Sequence, residues 1–300
     1  MTDSKTEIAA FYRTQSTLTD PGRHADAVAA WPDDVRDLMA TVQSLLIYDV
    51  VATPFYSVTL SPERQSDIHL RYVPDILDRV LALDPAPINE SRRPQHRVPA
   101  RCNNFGLLLL SALRQRGVPA RARSGFGTYF NPDHFEDHWI VEYQDVENGA
   151  WHIADAQFDA VWTQKLGIDH DIADVPRDRF LTAADVWRGC RAGTIDASRA
   201  GISHDSLYGL FFVAGSLVRD MAALNKTELL PWDIWGAQPA LGSALDGRQL
   251  QYFDDLAALL VDPDTNFTAI QQRYADDDGL RVPGSVVNAL LNRREALCAA

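Results

Sequence analysis

Three residues between Val98 and Phe158 have the types and chain order of a nucleophilic triad: Cys102, His138 and Asp155. A thiolate is the reactive form of cysteine, and a free thiol with a pKa of roughly 8.5 is only slightly ionised at neutral pH. An imidazole that takes the thiol proton, and a carboxylate that fixes the imidazole tautomer, convert such a thiol into a nucleophile for amide or thioester carbonyls. Taken singly, each has a plainer reading. A free cysteine is often a small core residue, a histidine is often structural, and an aspartate often sits in a turn. The weight lies in the set.

The surrounding sequence supplies elements to position them. After Cys102 come Phe105, Leu107 to Leu110, Ala112 and Leu113, closed by Gly117 and Pro119. This predicts a helix that starts at Cys102 and is apolar nearly all round, hence buried. A helix N-terminus, with its unpaired amides and positive dipole end, favours a thiolate and can hold an oxyanion. The Cys102 amide is one oxyanion donor, and Gln95, in the loop before the helix, is the candidate second. Ala120, Ala122 and Ser124 then alternate with Arg121 and Arg123 as a strand. His138 to Tyr143 and Trp151 to Phe158 read as two antiparallel strands around Asn148-Gly149. A two-residue turn there would place Asp155 opposite Glu142, four residues and roughly 13 Å from His138. A four-residue loop from Asp145 to Asn148 pairs Gln144 with Gly149 and sets His138 opposite Asp155, so the longer loop is expected.

The run from Arg101 to Gln157 resembles the core of the transglutaminase-like superfamily. The match lies in Cys102, in Leu113-Arg114 leading to Gly117-Val118-Pro119-Ala120-Arg121, in His138-Trp139 with Glu142, and in Trp151 followed by Asp155. It covers about a fifth of the chain. The resemblance implies an α+β, papain-like core in which a central buried helix packs on an antiparallel sheet, with Cys at the helix start and His and Asp on adjacent strands. It also implies acyl transfer to an amine, or hydrolysis, through an acyl-enzyme formed on Cys102 without a cofactor. Members include protein cross-linkers, peptidases, glycopeptide amidases, amide-forming enzymes and some that have lost catalysis. Two departures stand out: Arg101 precedes the cysteine where the superfamily often has a small residue, and Asn103-Asn104-Phe105 replaces the papain signature.

The whole chain sets outer bounds. Its 300 residues are 46% apolar, enough for a substantial core, and its formal charge of −13 disfavours a nucleic-acid partner. Three widely spaced cysteines, 102, 190 and 298, do not form a disulfide framework, which fits a reducing cytoplasm. The N-terminus lacks the pattern of a secretory signal, and the most apolar run, Leu207 to Val218, is too short to span a membrane. Residues 1–90 read as a helical N-terminal lobe, 91–165 as the catalytic core, and 166–300 as a mainly helical region ending in helices from Leu250 to Val261 and Gly284 to Leu297.

Further residues are candidates for holding substrate: Arg121 and Arg123 on the strand, for a substrate carboxylate or for an internal ion pair; Trp139; and Asn225 and Lys226 in a polar segment after a long apolar helix. No metal site is expected. His134 and His138 are four apart, but Pro132 and the strand pattern argue against the zinc-binding helix. Asp262 to Asn266 begins like a calcium loop, yet Phe267 stands where glycine is required. Gly125-Phe126-Gly127 lacks the third glycine of a nucleotide loop. The substrate is accordingly a peptide, protein or small-molecule amide. The alternatives are a non-catalytic binding module on the same fold and an amide-forming enzyme for a small or carrier-bound substrate.

Overall fold

A computed structural model describes residues 2–145 and 148–298. Helices and strands are mixed through the chain, an α+β architecture. The chain forms two compact units. One unit is Met1–Ala122 with Ile140–Pro176, the other Arg123–Trp139 with Arg177–Ala300.

The first unit holds helices α1 (Thr2–Arg13), α2 (Ala25–Ala29), α3 (Val35–Leu45), α4 (Ala52–Tyr56), α5 (Pro62–Gln65), α6 (Val73–Leu83), α7 (Cys102–Gln115) and α8 (Ala160–Leu166). Helix α7 is its centre: every residue from Cys102 to Arg114 is buried, and α1, α2, α3 and α6 pack on it. The continuous leucine run leaves this helix no polar face to turn to water. It ends where the glycine signal stands. Gly117 takes φ +70°, its amide donates to the Arg114 carbonyl (3.0 Å), and the Val118 amide donates to Leu113 (3.0 Å), satisfying last-turn carbonyls.

The N-terminal lobe is not purely helical. Leu46 leaves the helical pattern to begin strand β1 (Leu46–Tyr48), which pairs in parallel with β2 (Val98–Ala100), the strand that leads into α7. Strands β3 (Ala120–Gly127) and β4 (Phe135–Gln144) each begin in one unit and end in the other. In the first unit β4 pairs antiparallel with β5 (Trp151–Ala154).

That pairing corrects the expected register. Gln144 pairs with Trp151 and Val141 with Ala154, so the ladder, carried one residue further, sets Asp155 against Ile140 rather than His138. The Asp145 amide carries the pairing outward to the Ala150 carbonyl (2.8 Å), and the Asn148 side-chain oxygen takes the Ala150 amide (2.7 Å), so the turn is displaced by one residue from the expected one. Val146 and Glu147, inside the expected loop, lie outside the described residues.

In the second unit β6 (Phe180–Thr182) pairs with the end of β3, and β7 (Ala200–Ile202) runs parallel to the start of β4 and pairs with β8 (Leu207–Tyr208). Helices α9 (Ala183–Ala192), α10 (Leu210–Leu224), α11 (Gly247–Leu260) and α12 (Phe267–Asp276) follow, with α10 buried from Phe212 to Leu224 and packed on α9, α11 and α12. Strands β9 (Asp233–Ile234), β10 (Ser285–Asn288) and β11 (Arg293–Ala296) form a separate small sheet. The helix expected over Gly284 to Leu297 is therefore a hairpin. Val286 and Val287 are β-branched, β10 pairs on both sides, and the Asn288 side chain accepts the Leu291 amide across the turn (3.1 Å). The turn leaves Leu290 and Leu291 exposed. Among the described residues no helix is long and apolar enough to cross a membrane.

Candidate functional site

Cys102 is the first residue of α7 and is buried, 7% exposed. The helix start is held from outside: the Arg101 amide donates to Asn104 Oδ1 (2.9 Å), and Asn104 Nδ2 donates to the Leu70 carbonyl (3.0 Å). The Asn104 and Phe105 amides return to the Arg101 carbonyl (2.9 and 3.4 Å). The amides of Cys102 and Asn103, in the first turn, have no acceptor within the helix. This end of the helix can therefore carry negative charge on a thiolate or on a carbonyl oxygen under attack.

Asp155 belongs to the same unit and is 1% exposed, just beyond β5. It leaves the ladder because a second segment captures its backbone: its amide donates to the Ile172 carbonyl (2.8 Å), and the Val175 amide donates to Ile153 (2.8 Å). Its Oδ1 accepts the Gln157 amide (3.2 Å). The loop from Asp169 to Asp174, acidic and featureless in the sequence, thus covers the free edge of β5. It is tied down by Tyr143 Oη donating to Ala173 (2.9 Å) and by Arg36 bonding Asp171.

His138 lies in the second unit, in β4, and is 1% exposed. Aromatic rings surround it: Phe130 at 4.9 Å between centroids, Tyr129 at 6.1 Å and Phe180 at 6.5 Å, all edge to face. The two glycines dismissed as a nucleotide loop make this possible. A Cβ on Gly127 would stand 2.6 Å from the Phe130 ring, and one on Gly125 would stand 2.3 Å from the Leu181 carbonyl of β6. They permit close packing. The Asp137 side chain meets Arg219 Nη2 at 3.4 Å, and burial pushes its carboxyl above the ordinary carboxylate range against the pull of Arg219.

The remaining candidates have internal occupations. Arg121 Nε donates to Glu142 Oε2 (2.7 Å), with its guanidinium carbon 4.1 Å from the Trp151 ring centre and 5.4 Å from that of Tyr12. Arg123 grips Asp220 through Nε (3.0 Å) and Nη2 (2.9 Å). Both arginines take the ion-pair reading, not the substrate-carboxylate one, because a buried guanidinium needs a buried counter-charge. Trp139 is a core residue, 3% exposed, and its indole N–H is unpaired. Asn225 and Lys226 end α10: the Asn225 side-chain amide donates to Met221 (2.9 Å), and Lys226 turns to φ +57°. Gln95 lies exposed in the short 3-10 turn Pro94–His96, its own carbonyl bound by Arg64 Nη1 (2.6 Å). The three extended residues of β2, roughly 10 Å of strand, follow before Arg101.

His134 immediately precedes β4 and His138 lies within it, so the pair is not on a helix; among the described residues no group of three or more His, Cys, Asp or Glu could hold a metal ion. Cys190 is half-buried, and burial, reinforced by Asp196, pushes its thiol up to about 11. Cys298 is exposed. Sequence reading missed the Asp49 contact to Arg101, the segment over β5 and the aromatic wall around His138. Only the last had a local signal, Gly127 ahead of Tyr129-Phe130. Protein-family models, curated proteins and solved structures gave no significant match to this chain.

Proposed function

We propose that this chain is a cysteine-nucleophile acyl-transfer enzyme of the transglutaminase-like, papain-like kind, cleaving or exchanging an amide or thioester bond. The observation that carries the reading is the placement of Cys102 as first residue of a fourteen-residue helix buried as far as Arg114. In this reading His138 accepts the Cys102 proton and Asp155 orients the imidazole and stabilises its cation. The sulfur attacks the carbonyl carbon, and the first-turn amides of Cys102 and Asn103 receive the oxyanion; Gln95 is given no part. Collapse breaks the bond to the amine or thiol, which leaves with the proton from His138, and a thioester remains on Cys102. Water then releases an acid, or an amine releases a new amide, and the thiol regains its proton.

The test is the pH dependence of iodoacetamide labelling, followed by peptide mass spectrometry. The exposed Cys298 serves as the internal reference and Cys190 as the suppressed thiol. Cys102 should label rapidly at pH 6, and His138→Ala should slow it roughly tenfold or more by removing the ion-pair partner of the thiolate. A Cys102 profile that matches Cys298 in both proteins overturns the reading.

A further inference from the structure

The first turn of α7 carries two adjacent asparagines of similar burial, Asn103 at 5% and Asn104 at 2% exposure, and they are used differently. Asn104 is occupied at both ends of its carboxamide, on the Arg101 amide and the Leu70 carbonyl as described. The Asn103 side chain is not: its Oδ1 is buried and has no hydrogen-bond partner among the described residues. Taking water from a carboxamide oxygen without replacing the donor costs more than a typical net hydrogen bond returns. Native proteins therefore hold few such oxygens, and each needs an account.

The place of Asn103 in the helix supplies that account. It follows Cys102 directly and lies three residues before Gly106, with Cys102 four before, so both belong to the helix face that Gly106 turns to β4. On that face a Cβ at Gly106 would stand 3.6 Å from Val141. Helix side chains lean toward the N-terminus, which carries the Asn103 carboxamide toward the end where the amides of Cys102 and Asn103 lack an acceptor within the helix. Backbone donors and a side-chain acceptor are thus gathered at one buried helix end. A carboxamide group offers the matching set, a carbonyl oxygen that accepts and an N–H that donates. A thioester or an ester offers only the first.

We propose that Asn103 is a specificity-determining residue for the Cys102 reaction: its Oδ1 accepts an N–H of the substrate, which selects primary and secondary carboxamides over thioesters, esters and amides of a proline nitrogen. This rests on the reading of Cys102 as a nucleophile. The oxygen has lost its water before substrate arrives. A substrate without a donor leaves it unpaired at full cost, whereas one with an N–H restores the bond.

The experiment alkylates the full chain with iodoacetamide, which carries an N–H, and with methyl iodoacetate, which carries none; in both, the sulfur displaces iodide from the same methylene carbon. Peptide mass spectrometry gives the rate ratio of the two reagents at Cys102, divided by the same ratio at the exposed Cys298. This quotient does not depend on how far either thiol is ionised. In the wild type it should favour iodoacetamide about fivefold or more, the equivalent of one hydrogen bond. Asn103→Leu should bring the quotient to about one while the thermal midpoint holds or rises, since no bond of the folded state is lost. Asn103→Asp, which keeps the acceptor, should retain the preference. No preference in the wild type, its survival in Asn103→Leu, or its loss in Asn103→Asp overturns the proposal. Labelling of Cys102 at pH 6 no faster than that of Cys298 would instead remove the nucleophile reading itself, whatever the quotient.

Discussion

Arg121 and Arg123 are two residues apart on one strand, and each is buried against a carboxylate, yet the two pairs are built differently. In the first unit Arg121 meets Glu142, 21 residues along the chain, and lies between the Trp151 and Tyr12 rings. In the second unit Arg123 meets Asp220, 97 residues along the chain, with two guanidinium nitrogens on two carboxylate oxygens. The Ser124 amide adds a third bond to Asp220 (3.0 Å). One cation is held by a carboxylate and aromatic faces, the other by a carboxylate on a buried helix that a backbone amide also holds. An arginine pattern that suggests a receptor for a substrate carboxylate is here, on both counts, a device for joining elements.

Disruption should cost most at the Arg123–Asp220 pair. Asp220→Asn leaves the Arg123 charge buried without its counter-charge and should cost about 3–5 kcal/mol in denaturant unfolding. Glu142→Gln should cost less, about 2 kcal/mol, because the two aromatic faces continue to stabilise Arg121. Equal losses would show that the rings contribute nothing. Gly125→Ala strains the second-unit half of the same strand without touching charge: its Cβ meets the Leu181 carbonyl at 2.3 Å. It should lower stability by about 1–2 kcal/mol. Gly106→Ala in α7, whose Cβ would only touch Val141 at 3.6 Å, should be neutral or mildly stabilising.

The smallest effect concerns Asp137, on the strand carrying His138. Burial raises its folded pKa, so the folded state binds this proton more tightly than the unfolded chain. Its contribution to stability is therefore full below the unfolded carboxylate pKa and is lost as pH rises through the folded one. Asp137→Asn removes that dependence. Unfolding at pH 4 and pH 7 should show the variant gaining on the wild type as pH rises, and a gain in the opposite direction would refute the assignment.

Much of this molecule is local in origin. The leucine run and the Gly117 stop lie where the sequence places them, and Asp34 before α3 and the Thr182 capping box of α9 are equally local, because helix burial and capping involve residues within a few positions of one another. Cys102 as a helix start was legible for the same reason. The β4–β5 register was not, since registers that slip by two residues, as turns of two or four residues give, satisfy the same alternating pattern. The hydrogen bonds within that loop, and those of Ile172 and Val175 along β5, select the pairing. The Gly284 to Leu297 stretch shows the opposite failure: its composition suits a helix, but pairing with β9 and a side-chain-bonded turn make it a hairpin.

Residue types alone supplied the candidates for nucleophile, base and orienting carboxylate, placed the start of α7 at Cys102 and its stop at Gly117, and left Arg121 and Arg123 to a substrate carboxylate or to internal carboxylates. Only the tertiary structure decided which carboxylates those are, how the Asp155 backbone leaves its ladder, and that Asp49 and Tyr48 hold the residue before Cys102. The physical reason is range. Capping and helical periodicity act over a few residues, whereas ion pairs, ring contacts and strand pairing join groups that the chain brings together from tens of residues apart.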